Sequence, residues 1–209
     1  MRNSGLFTTL SLAAIFFASC EKDTVAPVVE TVITNTVNSL PADTIVQIVN
    51  GRPIGAGKFA FFSLESNAIV AAVDSNSKKW DIGFRGTTII INGGNSGPGN
   101  GGAFLQVGTF EELKTISADS AFKVDNAPTA YAITSAWYSY NQPVNLITPA
   151  PGKILVIRTA NGKYAKVEIQ NYYKGGVTPA ASAPDAEKIS KQRYYTFRFT
   201  YQSNGSKNF

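Results

Sequence analysis

From residue 45 to the end of the chain, apolar side chains recur at every second position, the period of a strand with one buried face. In residues 79–85, Trp80, Ile82 and Phe84 fall on one side and Asp81 and Arg85 on the other, which predicts a half-buried strand. Near the end, Tyr195, Phe197, Phe199 and Tyr201 share one face and Thr196, Arg198 and Thr200 the opposite one. Residues 153–159 and 164–172 predict a hairpin across Asn161-Gly162, a pair that tolerates positive φ in a tight turn. Residues 87–92 and 104–107 predict a further pair separated by a glycine-rich loop, and residues 59–64 form an apolar run. Thr109 and Glu112 have capping-box spacing, with Phe110, Leu113 and Ile116 on one helical face, so a short helix is expected to end near Ser117. The pattern predicts an all-β domain, mostly antiparallel, as a sandwich or flattened barrel with one or two short helices.

The first residues follow a different pattern. Arg2, an apolar stretch over residues 6–18 and the ending Phe17-Ala18-Ser19-Cys20 have the order of a secretory signal. The apolar stretch is shorter than the roughly 20 residues a spanning helix needs, and Glu21-Lys22-Asp23 follows at once. The small residues before the cysteine resemble a bacterial lipobox, although Phe17 stands where Leu is preferred. This implies cleavage after residue 19 and lipid on Cys20, the chain's single cysteine. Residues 20–44, interrupted by Pro27 and Pro41, are expected to be a tether, the alternative being an added edge strand over residues 28–37. The β domain is assigned to residues 45–209. The charged residues after Cys20 look like an outer-surface sorting signal, which places the expected address at the outer membrane, facing the cell surface.

Composition narrows the chemistry. The net charge of +5 is scattered rather than clustered, which argues against a nucleic-acid surface. The chain has no histidine, so Ser-His and Cys-His nucleophile pairs are impossible and the commonest metal ligand is missing. Asp74, Asp81, Asp119 and Glu168 show no spacing that singles out a catalytic pair, and Asp81 is expected to be exposed or hydrogen-bonded on its strand. No catalytic or metal-ligating residue is assigned, and the chain is not expected to be an enzyme. The loop from Asn92 to Gly102 lacks the Gly-Lys-Ser/Thr ending of a P-loop. Its glycines instead suit positive-φ turns, or close approach of a ligand to backbone.

Five dispersed segments carry a family resemblance: residues 79–85, the Asn-Gly-rich loop ending in Gly101-Gly102-Ala103, Trp137-Tyr138-Ser139-Tyr140, residues 156–166 and residues 194–199. Together they resemble the HmuY family of outer-membrane lipoproteins, in order over roughly residues 45–205. The resemblance implies a nearly all-β fold, haem as cofactor or cargo, a role in iron acquisition and an outer-membrane receptor as partner. In that family iron is held by histidines or, in a subgroup, methionines, whereas this chain has no His and only Met1. A tyrosine phenolate can also hold ferric haem, and Tyr138, Tyr140, Tyr172 and Tyr173 lie in segments the family keeps aromatic. Trp137 with Tyr138 and Tyr140 could instead line an apolar pocket for a flat ligand held without coordination. Packing of these aromatics in the core is the competing expectation. The expected function is haem or porphyrin binding by a lipid-anchored protein, the alternative being a surface lipoprotein for a non-haem ligand or a protein partner.

Overall fold

A computed structural model of the chain describes residues 32–209. The signal segment, Cys20 and the first part of the expected tether lie outside the described residues. The alternating segments form thirteen strands: β1 (Thr34–Pro41), β2 (Ile45–Val49), β3 (Arg52–Gly55), β4 (Ala60–Ser63), β5 (Ala68–Val70), β6 (Ile82–Arg85), β7 (Thr88–Ile91), β8 (Gly102–Val107), β9 (Tyr138–Asn141), β10 (Leu146–Pro149), β11 (Lys153–Arg158), β12 (Tyr164–Tyr173) and β13 (Gln192–Gln202). One α-helix, α1 (Asp185–Lys191), precedes β13. A five-stranded sheet in the order β1-β13-β12-β11-β8 and a four-stranded sheet in the order β5-β4-β6-β7 are both antiparallel throughout. The hairpins β2-β3 and β9-β10 stand apart from them.

The period-2 pattern places one face of each sheet in a shared core. Tyr195, Phe197 and Phe199 of β13 enter it from the larger sheet, and Phe62, Ile82, Phe84, Ile89 and Ile91 from the smaller. Aromatic packing joins the layers: the Phe62 ring meets that of Phe197 edge-to-face at 5.4 Å, and the Phe84 ring lies tilted 4.5 Å from that of Tyr195. On the other face of β13, Arg198 pairs with Glu168 at 2.6 Å and with Glu111. Beside it, the buried Lys166 ammonium donates to the carbonyls of Phe110 and Leu113. The fold is thus a sandwich.

Four expectations change. The β structure begins ahead of residue 45, because residues 34–41, expected as tether, form β1 at the edge of the larger sheet; a bulge with Ser39 at φ 57° interrupts its pairing with β13. Trp80 does not share a face with Ile82 and Phe84. It packs with Phe61 and Ile90 on the outer face of the smaller sheet, 4.7 Å from the Phe61 ring. Residues 87–92 and 104–107 do not pair: β7 closes the smaller sheet and β8 the larger, so the glycine loop is a crossover between layers. Around Thr109, the capping-box contacts form, with the Thr109 hydroxyl donating to Glu112 at 2.8 Å and accepting from its N–H at 3.2 Å. They close a turn rather than a helix.

The hairpin at Asn161-Gly162 is present, with Gly162 at φ 79°. The Gly162 N–H donates to the Thr159 carbonyl and the Thr159 N–H to the Lys163 carbonyl, a longer turn closed by one left-handed glycine.

Candidate ligand-binding site

Four of the five predicted ligand-binding residues meet at one end of the sandwich. A short 3-10 turn, Ser135–Trp137, brings the chain into β9, and Trp137 is driven into the core with its indole N–H donating to the Thr87 carbonyl at 3.1 Å. Its ring centroid lies 4.9 Å from Tyr138, 6.0 Å from Tyr172 and 5.4 Å from Tyr195. Tyr172 also meets Tyr173 at 5.9 Å and Tyr195 at 5.3 Å. A register irregularity in β12 turns both Tyr172 and Tyr173 inward, so adjacent residues are buried where strict alternation would expose one. Tyr140 stays apart. It is 54% exposed, and its hydroxyl pairs with Asn145, whose amide donates to Asp185 of α1.

Burial decides what these phenols can do. Desolvation pushes the pKa of Tyr172 far above its ordinary value, against the opposing effect of Arg193, and raises those of Tyr173 and Tyr195 too. The Tyr173 oxygen accepts the Ile147 N–H at 2.9 Å, and the Tyr195 hydroxyl donates to the Gly86 carbonyl at 2.8 Å. Iron binds the phenolate, and burial disfavours that form of Tyr172 and Tyr173 in this conformation.

Tyr138 differs, since it is half-buried and lines a cleft of about 390 Å³. Thr87 and Thr88, at the β6-β7 turn, contribute to the cleft, as do Tyr131, Thr134 and Ser135 from the preceding loop. Asp125 holds that loop in place: one carboxylate oxygen accepts the Ile91 N–H and the other the Ala132 N–H, each at 2.8 Å. A turn over residues 126–130, with a cis Ala127-Pro128 peptide, leads into the cleft. Sequence reasoning missed Tyr131, because it sits in an aperiodic loop. The only signal was an isolated aromatic a few residues before the Trp-Tyr pair. A larger open cleft of about 650 Å³ lies near β5, but its walls include Glu65, Lys78 and an Asp74–Lys79 ion pair, which suit a flat apolar ligand poorly.

The glycine loop is no anion cradle. Many of its N–H groups are already bonded within the protein: Gly99 donates to the Asn92 side chain, Asn95 to the Asp125 carbonyl, Asn100 to that of Ala160 and Gly101 to that of Asn92. A Cβ on Gly93 or Gly101 would run into facing backbone, so the loop's own strands, rather than a ligand, demand these glycines. Among the described residues no group of three or more His, Cys, Asp or Glu is placed to hold a metal ion.

The family model described as HmuY protein matches residues 56–182. Three solved structures are similar to this chain. A protein described as an HmuY-like haem-binding protein from Bacteroides vulgatus shares 12% identity at a TM-score of 0.47, covering 79% of this chain and 90% of that one. A protein described as a lipoprotein from Bacteroides fragilis shares 16% identity at a TM-score of 0.47, covering 79% and 88%. The apo HmuY analogue of Tannerella forsythia shares 12% identity at a TM-score of 0.44, covering 82% and 96%. No curated protein matches the chain.

Proposed function

The chain belongs to the HmuY family, and from that premise we propose that it is a lipid-anchored surface protein that binds haem or a related porphyrin in the cleft beside Tyr131 and Tyr138. One observation carries this reading: the chain has no histidine and no methionine after Met1, and the cleft brings two tyrosines to one site. A phenol oxygen is then the donor suited to ferric iron, while the threonine and serine hydroxyls around it can serve the ligand's polar edge. At about 390 Å³ the cleft falls within the usual range of roughly 300–1,000 Å³ for small-molecule sites. Lipid on Cys20 would hold the domain to the outer membrane, and transfer of haem to an outer-membrane receptor would complete a role in iron acquisition.

The test is a spectroscopic titration of the purified chain with ferric haem and with metal-free protoporphyrin. Wild type is expected to give a Soret change saturating near one equivalent. Tyr131→Phe or Tyr138→Phe should lose the iron-dependent part while keeping metal-free binding, and Tyr172→Phe should keep both. Absence of any saturable change, or an iron-dependent spectrum surviving in the Tyr131→Phe/Tyr138→Phe double variant, refutes the reading. A second reading, a protein partner, rests on the β2-β3 hairpin, which leaves Val46, Ile48, Val49 and Ile54 exposed.

A further inference from the structure

No charged side chain lines the cleft beside Tyr131 and Tyr138; its walls are threonine, serine, tyrosine, alanine and isoleucine. Asp125, the acid that pins the cleft loop, turns its carboxylate oxygens to the backbone N–H groups of Ile91 and Ala132. An ionised group entering such a site gives up water without meeting an opposite charge, a cost that a neutral ligand escapes.

What the cleft offers is hydroxyls. Thr129 donates to the Asn126 carbonyl and Thr134 accepts the Ala136 N–H. The hydroxyls of Thr87, Thr88, Tyr131, Ser135 and Tyr138 have no hydrogen-bond partner among the described residues. Each can donate one hydrogen bond and accept others, so a ligand hydroxyl, which does the same, matches it in either sense. The two tyrosines add ring surface that the fold holds in place: Tyr138 packs on Trp137 at 4.9 Å, and Tyr131 on the cluster of Phe61, Trp80 and Ile90. A phenol joins an apolar face to a polar tip. A pyranose ring is complementary to that combination, with C–H groups on its faces and hydroxyls around its rim.

We propose that this cleft recognises a neutral pyranose sugar, free or at the end of a glycan chain. The inference goes beyond haem binding, since it uses the same cleft and needs no iron. It is tested on the full chain by calorimetric titration with methyl glycosides of glucose, galactose, mannose and N-acetylglucosamine, with the matching uronates and amino sugars as charged counterparts, and with immobilised neutral trisaccharides. At least one neutral sugar is expected to bind saturably, and its charged counterparts about tenfold or more weakly. Thr88→Val and Ser135→Ala should each weaken binding roughly threefold to tenfold, the usual weight of a hydrogen bond, with unchanged Tm. Tyr131→Phe should keep part of the binding and Tyr131→Ala none. Binding of methyl glycosides assigns the site to free sugars, and binding of trisaccharides alone assigns it to glycan chains. Absence of saturable binding by any neutral sugar, charged counterparts that bind as tightly, or binding that survives in the Thr88→Val/Ser135→Ala double variant overturns the inference. A haem titration run alongside separates the two readings. A saturating Soret change without sugar binding leaves haem standing and removes the sugar, and sugar binding without a Soret change does the reverse.

Discussion

Replacing Asp81 with alanine should loosen the join between the two sheets. One carboxylate oxygen accepts the N–H of Leu64, just past β4 in the smaller sheet, at 2.8 Å, and the other accepts the N–H of Ala160, in the β11-β12 turn of the larger, at 2.9 Å. The carboxylate is buried, and desolvation raises its pKa despite those bonds, so part of what they contribute is spent holding a charge away from water. Asp81→Ala strands two buried N–H groups, each at about 1–3 kcal/mol, and relieves the desolvation, for a net loss of roughly 2–4 kcal/mol. For a chain of this size about 2–4 °C of Tm accompanies each kcal/mol, which predicts a fall of roughly 4–16 °C in calorimetry or thermal circular dichroism. Asp81→Asn should recover only part of it, because one acceptor becomes a donor facing an N–H. A loss below about 1 kcal/mol in Asp81→Ala would refute the idea that this carboxylate ties the layers.

Two further perturbations probe other parts of the scaffold. Gly94 has φ 62°, and a Cβ there would meet the Asp125 carbonyl oxygen, whereas Gly175 has φ 74° with open space around it. Gly94→Ala should therefore cost well over the roughly 1–2 kcal/mol of left-handed strain alone expected for Gly175→Ala, and equal losses in urea titrations would contradict the packing argument. Burial, together with Glu65 and Asp81, pushes the Tyr201 phenol up to about 12, and burial raises those of Tyr172 and Tyr195 as well. Above the unfolded value near 10, the native state keeps protons that the unfolded chain releases, so stability falls as pH rises from about 10 to 12. Tm measured across that interval should drop steeply, with phenolate absorbance appearing together with unfolding; a flat profile would show that these phenols titrate freely.

Legibility in the sequence followed continuity of pattern. β13 was readable because Tyr195, Phe197, Phe199 and Tyr201 alternate with polar residues, and the β11-β12 hairpin because two apolar runs flank the turn pair Asn161-Gly162. The alternation of residues 79–85 misled at Trp80 because β6 starts only at Ile82, and outside a strand alternation has no meaning. Gly83 then leaves the outer face bare, and Ile90 fills the space where a Cβ would sit. Proximity in sequence misled at the glycine loop, since strands joined by a long loop need not pair, and here the loop crosses from one layer to the other. The helix α1 carried a readable signal, with Asp185 and Glu187 in its first turn and Lys188 and Lys191 in its last, yet it is only 7 residues long. Of the aromatic site, sequence identified residues that gather, but it could not separate those that fill the core from those that face the cleft. That distinction depends on the β12 irregularity and on where Asp125 pins a loop.

The division of labour within the aromatic cluster follows from solvent. Trp137, Tyr172, Tyr173 and Tyr195 have their rings covered by one another and their polar atoms engaged or held neutral by burial, so they set the shape of this end of the sandwich. Tyr138 shares a ring contact with Trp137 yet reaches the cleft, so under the proposed function it is the point where the rigid cluster would meet a ligand. A ligand oxygen on such a residue gains from preorganisation, because the ring it hangs on is already positioned by the core. Tyr131 reaches the same cleft from the loop pinned by Asp125 and packs against the Phe61, Trp80 and Ile90 cluster. The two phenols are therefore supported from opposite faces of the smaller sheet, one by the shared core and one by the outer apolar cluster. Substitutions in either cluster should thus be felt at the cleft even where they touch no ligand.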